Sequence, residues 1–238
     1  MTHVAILAGE GEYGSDTSMR VVERELAARD VKVTYSTPDV LGDYPTFPVS
    51  RFSDLEAIAG ADVLVVYTRF RRLPDEQMDI LERYLDEGGA VVGLRTSTHA
   101  FAFEADSRWA KWNDGFGRCV LGSPWIAHHG HGSHTVVSRI DGVEHPILDG
   151  VDPRFSVRSW LYQVEMTKPC EPLLHGEPVD PEGPPTPGPV AWTTEFRGRR
   201  VFYTSLGHPD DFEVPSFRRL LLNGIAWCAA GRQNTGGE

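Results

Sequence analysis

Three short apolar runs decide what this chain can fold into. Val4-Ala5-Ile6-Leu7-Ala8, Val63-Leu64-Val65-Val66-Tyr67 and Ala90-Val91-Val92-Gly93-Leu94 carry no charged residue on either alternating face. A strand apolar on both faces must be covered on both, which is the pattern of a parallel sheet lying between helices. Between the runs the period changes. Met19, Val22 and Leu26 recur at helical spacing among charged residues, and Leu81 and Leu85 do so after Pro74, a first-turn proline, until Gly88-Gly89 stop the helix. With Val31 to Tyr35 as a further strand, strands begin near Val4, Val31, Val63 and Ala90. This alternation predicts a doubly wound α/β sheet, parallel at its centre.

The second half is less regular. Thr135 to Ile140 reads as a strand, whereas His175 to Pro189 holds six prolines and three glycines and is expected to leave the sheet as a surface excursion. Val190 to Phe196 and Arg200 to Thr204, around Arg197-Gly198-Arg199, form an expected C-terminal β-hairpin. Ser216 to Ala230 closes the fold as a helix with Phe217, Leu221, Gly224 and Cys228 on one face. One domain over residues 1–232 accounts for these elements, with 233–238 as a frayed tail.

Charge narrows the partners. The 34 acidic and 23 basic residues give a net charge of -11, which repels nucleic acid and anionic membrane, so neither is an expected partner. No apolar stretch reaches membrane-spanning length and the N-terminus has no leader pattern, so a soluble, cytoplasmic protein is expected. Cys119, Cys170 and Cys228 are too far apart for a zinc knuckle or a disulfide framework. A small molecule is the expected ligand, and a homo-oligomer stays open.

In open α/β sheets ligands bind at the carboxyl ends of the strands. Four segments should therefore converge: Gly9-Glu10-Gly11-Glu12-Tyr13, Thr68-Arg69-Phe70-Arg71, Arg95-Thr96-Ser97-Thr98-His99 and Leu206-Gly207-His208-Pro209-Asp210-Asp211. The first lacks the G-x-G-x-x-G order of a dinucleotide site, and the chain has no Walker sequence.

The chain resembles a class I glutamine amidotransferase-like, flavodoxin-like fold, and Val91 to Leu94 lead into the place where that fold carries its nucleophile elbow. Arg95-Thr96-Ser97-Thr98 stand there and no cysteine does, which excludes glutamine hydrolysis through a thiolate. Ser97 with His99 nearby is an alternative nucleophile, competing with a helix-capping role for Ser97 or Thr98. Gly93 to Phe101, Glu144-His145-Pro146-Ile147, Pro189 to Thr193, Gly198 to His208 and Leu221 to Trp227 resemble, in order, the trehalose-utilisation (ThuA-like) family within that superfamily. The chain departs from the family where Arg95 replaces a usual histidine, and where Glu12 and Tyr13 stand in place of a frequent one. The resemblance implies carbohydrate metabolism on a small polyol-like ligand.

The candidate site residues follow. His99 and His208 are the candidate acid/base pair for hydrolysis, elimination or isomerisation of a small sugar or an oxidised (3-keto) glycoside. Glu12, Arg69, Arg95, Tyr162 and Trp192 are candidate substrate-binding groups, with Tyr162 and Trp192 equally open to core roles. His128, His129, His131 and His134 crowd one segment. On an extended chain His129 and His131 face one way and His128 the other. His129, His131 and His145 are thus the candidate ligands of a divalent metal such as zinc, against a solvated loop with incidental imidazoles. His208 is expected to outweigh any histidine of the cluster, because the sheet fixes its position. The competing class of function is a non-catalytic sugar-binding or regulatory module.

Overall fold

In the computed structural model, residues 1–42 and 47–233 are described, without the side chains of residues 232 and 233. The first half comprises β1 (His3–Gly9), α1 (Ser15–Ser18), α2 (Arg20–Ala27), β2 (Lys32–Ser36), β3 (Val63–Thr68), α3 (Asp75–Asp86), β4 (Ala90–Leu94) and α4 (Trp112–Gly115). The second half adds β5 (Ala127–His128), β6 (His134–Arg139), β7 (Arg154–Val157), β8 (Tyr162–Gln163), β9 (Glu171–Val179), β10 (Gly188–Phe196), β11 (Arg199–Thr204) and α5 (Pro215–Gln233). The expected tail lies, from residue 234 on, outside the described residues.

One sheet runs in the order β2-β1-β3-β4-β11-β10-β9-β6-β7. Its first five strands pair in parallel, so the four strands expected from the apolar runs are parallel neighbours, with β11 beside β4. From β11 onward every pairing is antiparallel, and β11 meets β10 across Arg197-Gly198. The large α/β sheet is therefore parallel over one half only.

The alternation inside each run explains its composition. Val4, Ile6, Ala8, Val63, Val65 and Tyr67 face the cluster built on Val22 and Leu26 of α2 and Phe217, Leu221 and Ile225 of α5. Ala5, Leu7, Leu64 and Val66 face the opposite cluster, with Met78, Leu81 and Leu85 of α3 and Phe116. At about 1.5–3 kcal/mol for each large apolar side chain buried, these two layers hold the sheet. Gly224 lets α5 close on β11, since a Cβ there would lie 2.3 Å from Phe202.

The segment from His175 contradicts its expectation. Glu171–Val179 is a nine-residue strand paired on both sides, by β10 and by β6. Its prolines, Pro172 and Pro178, are the second and second-to-last residues, where the missing N–H interrupts little of the ladder. Only residues 180–187 leave the sheet between β9 and β10. Neither Ser97 nor Thr98 caps a helix: residues 95–99 form a 3₁₀ turn without a side-chain cap.

Candidate functional site

The four segments named above do converge, and specific hydrogen bonds stitch them together. The Tyr67 hydroxyl donates to the Gly207 carbonyl at 2.5 Å, joining the end of β3 to the loop after β11. The Phe70 amide donates to the His99 carbonyl at 2.9 Å, and the Arg71 guanidinium to the Gly9 carbonyl at 2.6 Å. A cleft of about 440 Å³ opens above these ends, its walls including Glu12, Tyr13, Arg69, Phe70, His99 and Tyr162. Thr96, Trp125, His128 and His131 complete it.

Arg95 anchors the site from below rather than lining it. It is fully buried, and its residue adopts φ 42°, the left-handed region that a bulky side chain rarely occupies. Tyr203 holds that turn by donating to the Arg95 carbonyl at 2.7 Å. The guanidinium donates to the Ser205 carbonyl at 2.9 Å and lies 4.5, 4.6 and 4.8 Å from the ring centres of Tyr13, Trp160 and Tyr162. Burial opposes its charge, and the facing Tyr162 and Tyr13 favour it. Expected to bind substrate, Arg95 instead does not line the cleft: its guanidinium packs against Tyr13 and Tyr162, which do.

Two histidines face the cleft in neutral form. Burial, followed by the charges of Arg69 and Arg95, pushes the His99 pKa down to about 3. Its ring lies between Phe70 at 4.9 Å and Trp125 at 5.4 Å, and its Nδ1 meets the Thr98 hydroxyl at 3.2 Å. His128 is also lowered, first by burial and then by His131 and Arg95. At the mouth Glu12 pairs closely with Arg69, and the exposed His131 ring approaches Glu12 to 3.9 Å. Burial raises the Tyr162 pKa well above its ordinary value, so it presents a neutral phenol.

Glu10 lies beneath, 1% exposed, accepting the Glu12 amide at 3.0 Å and lying 3.7 Å from Arg69. Burial raises its pKa against the opposing hydrogen bonds of the Tyr13 and Glu12 amides. It borders a second hollow of about 330 Å³ that shares Glu12 and Arg69 with the cleft.

The remaining candidates lie elsewhere. His208 is absent from the cleft lining: its ring packs 5.7 Å from Trp160, and its Nδ1 accepts the Asp210 amide at 3.2 Å, capping the turn Pro209–Glu213. Trp192 is fully buried, donating to the Leu121 carbonyl at 2.7 Å and lying 4.5 Å from Tyr203, so it is a core residue and no sugar platform. Ser97 is buried beside Gly93, away from His99 Nδ1, which meets Thr98 instead.

The expected metal ligands do not converge. Gly130, at φ 91°, turns the chain and breaks the alternation of the histidine segment. His128 and His131 consequently stack together, 4.8 Å apart with planes at 24°, while His129 turns away to contact Thr186 at 3.1 Å. Imidazole lone pairs lie in the ring plane, so stacked rings do not aim two donors at one tetrahedral centre. His145 accepts the Ile147 amide and packs 5.0 Å from Trp227. There Asn223 donates to the carbonyls of Ile147 and Asp149 at 3.0 and 2.8 Å, so the motifs around His145 and Asn223 join α5 to the sheet's flank. Among the described residues no three His, Cys, Asp or Glu side chains are grouped to hold a metal ion.

Sequence reasoning missed Phe70, Trp125 and Glu10 as site residues. Trp125 had one usable signal: it is a large aromatic in a loop of glycines, prolines and histidines. The burial of Glu10 had none, because it depends on the 9–15 turn folding over it.

An open α/β sheet here carries a polar and aromatic cleft at the carboxyl ends of its parallel strands, the position at which sheets of this layout bind ligands. Residues 4–228 match the ThuA family, described as trehalose utilisation, and the chain belongs to that family. The fold is similar to that of a ThuA-like protein from Parabacteroides merdae, at 17% identity and TM-score 0.71, covering 97% of this chain and 90% of that one. A ThuA-like protein from Bacteroides uniformis shares 16% identity at TM-score 0.66, with 96% and 91% covered. The carbohydrate deacetylase Agd3 shares the fold at 13% identity and TM-score 0.57, over 95% of this chain and 32% of its own. No curated protein matches the sequence. Among the described residues no helix is long and apolar enough to cross a membrane.

Proposed function

We propose that this chain acts on a small sugar or an oxidised (3-keto) glycoside, using histidine acid/base chemistry for hydrolysis, elimination or isomerisation, on a class I glutamine amidotransferase-like scaffold without its nucleophile. The family's description, trehalose utilisation, supports the carbohydrate class. The observation that carries the chemistry is one cleft in which Trp125 and Phe70 flank a neutral His99 while His131 stands at the mouth beside Glu12. Flat aromatic faces suit the apolar face of a sugar ring, and the Glu12–Arg69 pair supplies in-plane partners for its hydroxyls.

The roles divide by environment. An imidazole whose conjugate acid has a pKa of about 3 is a weak base at neutral pH, so His99 serves as a hydrogen-bonding group that orients the ligand. His131, exposed at the mouth and 3.9 Å from the Glu12 carboxylate, is placed to act as the base. It takes a proton from the carbon beside the ketone, and Arg69 stabilises the charge that develops on oxygen. No glutamine hydrolysis follows, because residue 95 is arginine and the three cysteines lie elsewhere.

The test is proton exchange. Methyl 3-keto-glucoside incubated with the protein in deuterated buffer should exchange the hydrogen beside the ketone, followed by NMR, while methyl glucoside should not. Binding of both sugars without exchange would support the second reading, a sugar-binding module, which the weak basicity of His99 favours. Absence of binding would remove both.

A further inference from the structure

Buried polar atoms without a partner gather in one place. Thr68 Oγ1, Arg95 Nε, Thr96 Oγ1, Ser97 Oγ and Ser205 Oγ are all buried without a hydrogen bond, at the carboxyl ends of the neighbouring strands β3, β4 and β11. A buried polar group without a partner destabilises the fold, so their concentration under a cleft calls for a functional cause. Thr96 stands out among them because it also lines the cleft, with the residue 1% exposed. Nothing holds its hydroxyl below the surface, so rotation about χ1 to face a bound oxygen breaks no hydrogen bond.

Its neighbours define what that oxygen should be. Thr96 follows the left-handed Arg95 turn, and the Arg95 guanidinium sits beneath without a carboxylate among its hydrogen-bond partners. A hydroxyl donor above a buried cation favours an oxygen that gains negative charge over a neutral hydroxyl. The strained backbone at Arg95 sets the turn from which Thr96 is presented to the cleft.

We propose that Thr96 recognises the ketone of an oxidised sugar, donating its hydroxyl hydrogen to the carbonyl oxygen and holding that oxygen as it becomes an enolate. This rests on the function proposed above. In the step, a base at the cleft takes the proton from the carbon next to the ketone. The C–H pair becomes the new C=C bond, and the carbonyl π pair moves onto oxygen. Return of the proton restores the ketone, so no further reactant is consumed.

Calorimetric titration with methyl 3-keto-glucoside and methyl glucoside separates the claims. Thr96→Val should weaken keto-sugar binding at least tenfold and leave methyl glucoside unchanged, with Thr96→Ser within threefold of wild type for both. Thr96→Val should also melt at or above the wild-type temperature, since it removes an unpaired buried hydroxyl. Should Thr96→Val fail to fold, Thr96→Ala carries the same comparison. Unchanged keto-sugar binding, or equal loss of both sugars, overturns the role of Thr96 alone. Wild-type protein that binds neither sugar overturns the proposed function and this inference with it.

Discussion

Tyr13 and Arg95 meet twice: the guanidinium carbon lies 4.5 Å from the Tyr13 ring centre, and a guanidinium nitrogen lies 3.3 Å from its hydroxyl. One residue follows β1 and the other follows β4, so this contact ties two strand ends into the cleft wall. Arg95→Ala should therefore cost roughly 3–5 kcal/mol, through the cavity it leaves and the carbonyl of Ser205 it abandons. Urea denaturation checks this, and a loss below about 1 kcal/mol would place the anchor elsewhere.

Stability should depend on pH through His99. Its folded pKa, about 3, lies below the unfolded value near 6.5, so the unfolded chain binds a proton that the folded one refuses in that window. The contribution of neutral His99 is complete above pH 6.5 and is lost as pH falls toward 3, at up to about 1.4 kcal/mol per pH unit. His99→Gln should flatten the curve between pH 6 and 4. A variant with the wild-type slope would contradict the buried, neutral imidazole.

Much of the parallel half was legible because burial on two faces leaves a signature that needs no partner: Val4 to Ala8 and Val63 to Tyr67 announce their own surroundings. The strand Glu171–Val179 was not, since Pro172 and Pro178 argue against a paired strand until their places near its ends are known. Convergence of the four loops followed from topology alone. Which side chains face the cleft did not, because it turns on single backbone events such as the φ of 91° at Gly130, which turns His129 away and stacks His128 on His131.

Asp211 locks the last loop. Fully buried, its carboxylate accepts the amides of Gly207, His208, Arg158 and Ser159 and the Ser159 hydroxyl, the last at 2.5 Å. Asp211→Asn turns a group that only accepts into one that must also donate, at a cost of about 3 kcal/mol. Amide hydrogen exchange across residues 205–211 should accelerate in the variant. Unchanged protection there would mean the strand end, and not Asp211, fixes the loop.

Trp125 separates binding from stability. Because Trp125 is 42% exposed and lines the cleft, Trp125→Ala should leave stability within about 0.5 kcal/mol while weakening sugar binding tenfold or more. Titration of intrinsic fluorescence in wild type, and calorimetry in both proteins, measure the two effects. Equal sugar affinity in the variant would remove the aromatic platform.

His131 lines the cleft, whereas His208 caps the turn behind Trp160. The direct measurement is the rate of deuterium exchange beside the ketone of methyl 3-keto-glucoside, by NMR, in His131→Ala and His208→Ala at matched folding stability. The expected result is a loss of about a hundredfold or more for His131→Ala, in the range of a general-base contribution, and less than tenfold for His208→Ala. A greater loss from His208→Ala, or equal losses, would contradict the cleft as the site of proton transfer.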